Sequence, residues 1–293
     1  MSPRRLGDFA LSSVVETERA LFDTAMVFPH ATDDALKAQY DWMLPLHFVP
    51  DTRSLVLIIQ SFLIRTGRTT ILVDTCIGNH KPRARAHNNM QQFPWMARLH
   101  AAGVKPEEID YVMCTHLHVD HVGWNTRLVN GRWVPTFPNA KYIFAKREYE
   151  HWEKEARSTG LPRTGNYMAD SVLPVVEAGR AVFVEMDHEI DRGVTLYPLP
   201  GHTPGQCGLH VKSNGSEALF TGDMMHHPLQ VVYPDWSTGF DTDQAHAART
   251  RRAFLEKYAD SGTLIVPAHF VAPTAGTIES HKDTFRFRFK AAD

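Results

Sequence analysis

The run Thr115-His116-Leu117-His118-Val119-Asp120-His121-Val122-Gly123 constrains this chain more than any other stretch, because four potential metal ligands fall within six positions. It follows the apolar Tyr111-Val112-Met113-Cys114, which reads as a strand. Side chains alternate along extended backbone, so His116 and His118 project to the same side. Where the chain turns out of the strand, Asp120 and His121 reach a second point nearby. That layout suits two cations held close together better than one.

Three further candidates come later, each just past an apolar run. His202 sits in Pro200-Gly201-His202-Thr203-Pro204-Gly205, after the strand-like Val194-Thr195-Leu196-Tyr197. Asp223 ends Ala218-Leu219-Phe220-Thr221-Gly222-Asp223, and His269 ends Thr263-Leu264-Ile265-Val266-Pro267-Ala268-His269. A single histidine beside a strand is an ordinary packing residue. Three such groups in this order, behind a His-x-His-x-Asp-His run, point to a built site.

Together these motifs resemble the metallo-β-lactamase superfamily over residues 55 to 275. The resemblance implies that His116, His118 and His202 hold a first metal, that Asp120, His121 and His269 hold a second, and that Asp223 bridges them. Asp74, closing Ile71-Leu72-Val73, matches an early aspartate that supports the site without ligating. The implied fold is mixed α/β (α+β) with four layers, αββα: two sheets face to face with helices outside. The implied cofactor is two Zn²⁺ per chain, and Mn²⁺, Co²⁺ or Fe²⁺ also suit nitrogen and carboxylate ligands.

The implied chemistry is attack on an ester carbonyl by a metal-activated hydroxide, with Asp120 both ligating and shuttling the proton. The iron-binding oxidoreductase branch of the family has glutamate where His118 stands, which favours hydrolysis. The chain is most similar to the branch of N-acyl-homoserine lactonases and methyl-parathion-hydrolase-type enzymes. Lactonases there place a tyrosine three residues after the bridging aspartate; this chain has His226, whose imidazole can donate to an oxyanion. The leading expectation is a hydrolase that opens lactones or cleaves carboxyl esters, and the alternative is organophosphate or aryl ester hydrolysis. A glyoxalase II-type thioesterase fits less well, because Gly123-Trp124 replaces the usual glycine pair. A non-catalytic metal-binding module fits poorly with a full ligand set. Trp124, Tyr233, Trp236 and Phe270 are the expected walls of the substrate pocket.

Net charge is -2 and the lysines and arginines are dispersed, which gives no general attraction to nucleic acid or anionic membrane. The short cluster Arg249-Thr250-Arg251-Arg252 and the pair Arg286 and Arg288 read as solvated faces. No apolar stretch approaches the length of a membrane span. Met1 to Asp8 lacks a long apolar region, so no secretory signal is expected. Cys76, Cys114 and Cys207 read as reduced packing residues, consistent with a cytoplasmic setting.

Residues 1–50 read as an N-terminal extension, a lid or a dimer contact, packed on a catalytic domain of residues 51–293. A homodimer follows from the family resemblance. The spacing predicts a helix from Val14 to Val27, a second helix capped near Thr32, and strands over Leu55–Ile64 and Thr69–Cys76. The basic loop Gly78 to Arg85 faces either substrate or solvent, and the polar stretch Arg157 to Tyr167 reads as a surface excursion. Asp243 to Tyr258 reads as an amphipathic helix capped by Asp241 or Thr242. Thr284 to Lys290, alternating phenylalanine and arginine, reads as a half-buried strand.

Overall fold

The computed structural model describes residues 1–292. Two sheets carry the chain. The first begins with β1 (Arg4–Leu6) and β2 (Phe9–Asp23), passes through the short helices α1 (Thr24–Val27), α2 (Asp33–Lys37) and α3 (Tyr40–Met43), and continues with β3 (Phe48–Val49), β4 (Ser54–Arg65) and β5 (Thr70–Val73). Helix α4 (Trp95–Ala101) then crosses to β6 (Tyr111–Met113). The hairpin of β7 (Thr126–Val129) and β8 (Arg132–Pro135) stands apart, before β9 (Lys141–Ala145) rejoins the first sheet. Helices α5 (Lys146–Thr159), α6 (Tyr167–Ser171) and α7 (Leu173–Glu177) lead to its last strand, β10 (Ala181–Val184). The strand order is β1-β2-β4-β5-β6-β9-β10 with β3 on β4, and β5, β6, β9 and β10 run parallel.

The second sheet follows sequence order through β11 (Glu189–Asp191), β12 (Val194–Pro198), β13 (Cys207–Ser213), β14 (Ser216–Gly222), β15 (Leu264–Pro267), β16 (Gly276–His281) and β17 (Thr284–Phe289). Only β14 and β15 are parallel, and α8 (Leu229–Val232) and α9 (Gln244–Tyr258) lie between them in sequence.

Strands covered on both faces need apolar residues at odd and even positions alike, and β4 is buried almost throughout. Ile59 and Leu63 pack outward with Trp95 and Leu99 of α4, while Phe62 and Ile64 pack inward with Leu209 and Phe220 of the second sheet. The Phe62 and Phe220 rings meet at 5.2 Å between the sheets. Each buried side chain of that size contributes roughly 1.5–3 kcal/mol. On the far side Phe254, Leu255 and Tyr258 of α9 cover the second sheet. The layers are αββα.

Three expectations need correction. Val14 to Val27 is not a helix: it lies mostly in β2, which pairs with β4 from Ala10 to Asp23. Register shifts between Val15 and Thr17 and between Thr17 and Ala20 break the two-residue alternation, so the apolar spacing imitates a helix. Residues 4–23 therefore belong to the sandwich and are not an appendage on it. Arg251 does not face solvent; it is buried and donates to the carbonyls of Met224, Pro234 and Trp236. Helix α9 is capped by Asp243, whose carboxylate accepts from His246 N, and not by Asp241 or Thr242.

Candidate metal centre

The parallel strands end side by side, and the groups singled out in sequence meet there. His116 and His118 leave β6, His202 lies on the turn between β12 and β13, Asp223 follows β14 and His269 follows β15. Close backbone approach makes this possible. A Cβ at Gly201 (φ 135°) would lie 2.4 Å from Ala247 N, and one at Gly222 (φ 52°) would lie 2.8 Å from the Thr115 hydroxyl.

Ligand-type atoms converge in two groups, each within 4.8 Å: His116, His118, His202 and Asp223 in one, and Asp120, His121 and His269 in the other. Asp223 stands between them. Its Oδ2 is 3.5 Å from His202 Nε2 and 3.7 Å from His116 Nε2, and its Oδ1 is 3.0 Å from His269 Nε2 and 3.3 Å from His121 Nε2. Asp120 reaches His121 Nε2 at 3.8 Å and His269 Nε2 at 3.7 Å.

The outward face of each ring is held. Nδ1 of His202 donates to Asp241 at 2.8 Å, Nδ1 of His269 to the Ile58 carbonyl at 2.8 Å, and Nδ1 of His121 to Asp74 at 2.9 Å. Carboxylates and carbonyls only accept, so each of these rings carries a proton on Nδ1 and turns Nε2 inward. The Thr115 hydroxyl donates to Asp74 and accepts from His116 Nδ1 at 3.1 Å, so Asp74 supports two rings. His118 is turned the other way, its Nδ1 2.9 Å from His202 Nε2.

This donor set fits cations. Nε2 of His116 and of His121 and Oδ1 of Asp223 are buried without a hydrogen-bond partner among the described residues, a cost that a bound positive ion removes. Burial holds His116 and His118 well below the ordinary histidine range, in the neutral form a ligand needs. Burial also pushes His121 down, but Asp223, Asp74 and Asp120 outweigh it and carry that ring well above its usual value. The carboxylate-rich half of the site draws positive charge. Asp223 shows the converse: burial raises it, and the imidazoles around it hold it well below the carboxylate range.

A cavity of about 550 Å³ opens over these groups. Its floor includes His118, Asp120, His202, Asp223, His226 and His269, and its apolar walls include Phe22, Leu57, Ile59, Leu161, Tyr167 and Phe240. His226 stands 3.1 Å from Asp223 Oδ2, and its Nδ1 has no partner among the described residues. His227 turns away and bonds the His47 carbonyl at 3.0 Å.

None of the four expected wall residues lines the cavity. Trp124 is buried, stacked on Trp95 at 5.2 Å with its indole N–H on Glu16. Tyr233 and Trp236 stack on each other at 4.3 Å beneath residues 27–55, and Phe270 packs on Phe287 at 5.0 Å. The polar stretch 157–167 is no mere surface excursion, since Leu161, Arg163, Thr164 and Tyr167 wall the cavity. The basic loop divides: Lys81 and Arg83 are buried on Asp170, while Arg85, His87 and Asn88 border the cavity. Sequence reasoning missed Asp241, read as a cap, and Phe22, hidden in a strand mistaken for a helix.

Residues 55–269 match the metallo-β-lactamase superfamily model. The chain belongs to the metallo-β-lactamase superfamily. Among curated relatives, an N-acyl homoserine lactonase of Bacillus cereus is 28% identical over 201 residues, covering 63% of this chain and 70% of the relative. Among solved structures, the hydrolase AbOPH of the β-lactamase superfamily superposes with a TM-score of 0.80 at 23% identity, covering 99% of this chain and 98% of that one. AidC, a dizinc quorum-quenching lactonase with its product bound, superposes with a TM-score of 0.79 at 20% identity, covering 100% and 98%. At these identities the two structures establish the fold. Cysteine takes no part in the site: all three are buried and unpaired. No helix among the described residues is long and apolar enough to cross a membrane.

Proposed function

We propose that this protein is a dinuclear metal hydrolase that opens lactones or cleaves carboxyl esters bearing an apolar acyl chain. One observation carries the reading: Asp223 presents a different oxygen to each of two imidazole groups, the arrangement of a bridging carboxylate. His116, His118 and His202 would hold one ion, Asp120, His121 and His269 the other, with Zn²⁺ the best match to the donor set. Bound cations supply there Lewis acidity and a water acidified toward neutral pH.

The protein's own groups do the rest. Phe22, Leu57, Ile59 and Phe240 take up the acyl chain and exclude water from it. Asp120 is a quarter exposed and lines the cavity, so its carboxylate takes the proton released on attack and returns it to the departing alkoxide. His226 lines the cavity floor beside Asp223, and its imidazole would donate to the substrate carbonyl oxygen. The similarity to lactonases supports the lactone class. A second reading, hydrolysis of aryl esters or phosphotriesters in the same cavity, rests on the departure at position 226, where histidine stands in place of the tyrosine of the lactonases it resembles.

The test is a panel of acyl-homoserine lactones, aryl esters, phosphotriesters and thioesters at fixed Zn²⁺ loading, repeated after chelation. Lactone or ester turnover that chelation abolishes and added Zn²⁺ restores is the expected result. Turnover confined to phosphotriesters supports the second reading, and no turnover at full metal occupancy overturns both.

A further inference from the structure

The ligand loops of the first group share an anchor that touches no ligand directly. Glu148, in the first turn of α5, is buried, and no cation pairs with it among the described residues. Its carboxylate accepts three N–H bonds instead. Oε1 accepts from Leu117 N at 3.0 Å and from Trp152 Nε1 at 2.6 Å, and Oε2 accepts from Gly205 N at 2.9 Å. Leu117 lies between His116 and His118, and Gly205 lies three residues past His202. One carboxylate thus ties together two loops that are 88 positions apart in sequence, taking Leu117 and Gly205 as the ends.

Two further contacts show that the join is built. A Cβ at Gly205 would lie 2.3 Å from Glu148 N and 2.7 Å from its Cα, so the loop sits directly on the helix backbone. Trp152, one turn after Glu148, sets its ring edge against His118 with centroids 5.0 Å apart, and it also lines the cavity. Among the described residues the second group has no such clip; His269 is held by the Ile58 carbonyl and His121 by Asp74.

We propose that Glu148 is a positioning residue for the first metal group: it sets the spacing of His118 and His202, so that losing it weakens one of the two metal sites selectively. The inference rests on the two-metal reading above. All three partners donate, and a carboxamide at position 148 would point its NH₂ at one of them, leaving that N–H buried without an acceptor.

The experiment is titration of metal-free protein with Co²⁺, followed by d–d absorption and by competition with a chromophoric chelator. Wild type should take up two equivalents. Glu148→Gln should keep one equivalent at wild-type affinity and lose about 10- to 100-fold on the other, the range for residues that orient metal ligands. Gly205→Ala, which pushes the loop off the helix from the opposite side, should reproduce that split and is read by the same criteria if Glu148→Gln does not fold. Wild-type binding of both equivalents by Glu148→Gln overturns the proposal, as does equal weakening of both. Failure of wild type to bind Co²⁺ overturns the two-metal reading itself.

Discussion

Oδ2 of Asp74 lies 2.9 Å from Nδ1 of His121, with both side chains buried at the end of β5. The same carboxylate accepts from Thr115 N at 2.7 Å and from the Thr115 hydroxyl, which in turn accepts from His116. Asp74 adopts φ 58°, a conformation few non-glycine residues take, and so turns its side chain into the site. One support therefore serves a ring in each group.

The first prediction follows from that sharing. Asp74→Asn keeps the shape but loses one acceptor, so affinity at both metal sites should fall, by about 10- to 100-fold. A chelator-competition titration checks this, and its contrast with the one-sided loss expected for Glu148→Gln is the informative part. Loss at only the His121 site would show that the Thr115 relay to His116 carries nothing.

Glu16 predicts a pH dependence of stability. Burial pushes its carboxyl up to about 7, against the opposing pull of N–H groups from Ile77, Gly78 and Trp124. The unfolded chain releases this proton near the ordinary glutamate value of 4.5. Between those values the folded state holds a proton that the unfolded state lacks, so stability falls as pH rises through the window and the deficit is complete above about 7. Glu16→Gln removes the titration, so relative to wild type the variant should gain on the order of 3 kcal/mol between pH 4.5 and pH 7.5. Urea unfolding of both proteins at the two pH values measures it. An offset that does not change with pH would show that Glu16 stays ionised throughout.

Asp170 balances two buried cations. Arg83 makes two bonds to it, at 2.6 and 2.9 Å, and Lys81 Nζ lies 3.6 Å away. Removing one partner of a buried ion pair strands the other, so Asp170→Asn should cost about 3–5 kcal/mol in denaturant unfolding. The loop that brings Arg85 and His87 to the cavity rim should also become more susceptible to protease. A loss below about 1 kcal/mol, the usual worth of an exposed pair, would mean that water reaches the network.

Phe240 reports on the acyl chain. It walls the cavity beneath Arg85, whose guanidinium lies 5.6 Å from the ring centroid. Phe240→Ala should raise KM for a long-chain lactone by roughly tenfold, with kcat little changed, as expected for lost apolar contact of about 1.4 kcal/mol. A short-chain lactone should hardly notice. Equal effects on both would place the acyl chain elsewhere.

The groups that meet in the candidate metal centre were legible as a set because their chemistry is local to the chain. His-x-His-x-Asp-His and Gly-His-Thr-Pro-Gly occupy strand ends, and a strand end is visible in composition and alternation. The four-layer fold came with the same motifs, through the family they mark. Residues read on apolar character alone fared differently. Trp124, Tyr233, Trp236 and Phe270 looked like pocket walls, but Trp124 and Phe270 are core and Tyr233 and Trp236 pack half-buried against it, because an aromatic side chain carries no local sign of which surface it will cover. Phe22 and Tyr167 reach the cavity from segments read as a helix and as a surface loop.

The sequence by itself determined which donors could hold a metal, since ligand type and spacing belong to the covalent chain. Tertiary structure decided which carboxylates stand behind them. Glu148, Asp74 and Asp241 take their roles from N–H groups far away in sequence, at Leu117 and Gly205, at Thr115 and His121, and at His202. A hydrogen bond requires its partners within about 3 Å, and only the packed sandwich brings such distant parts of the chain that close.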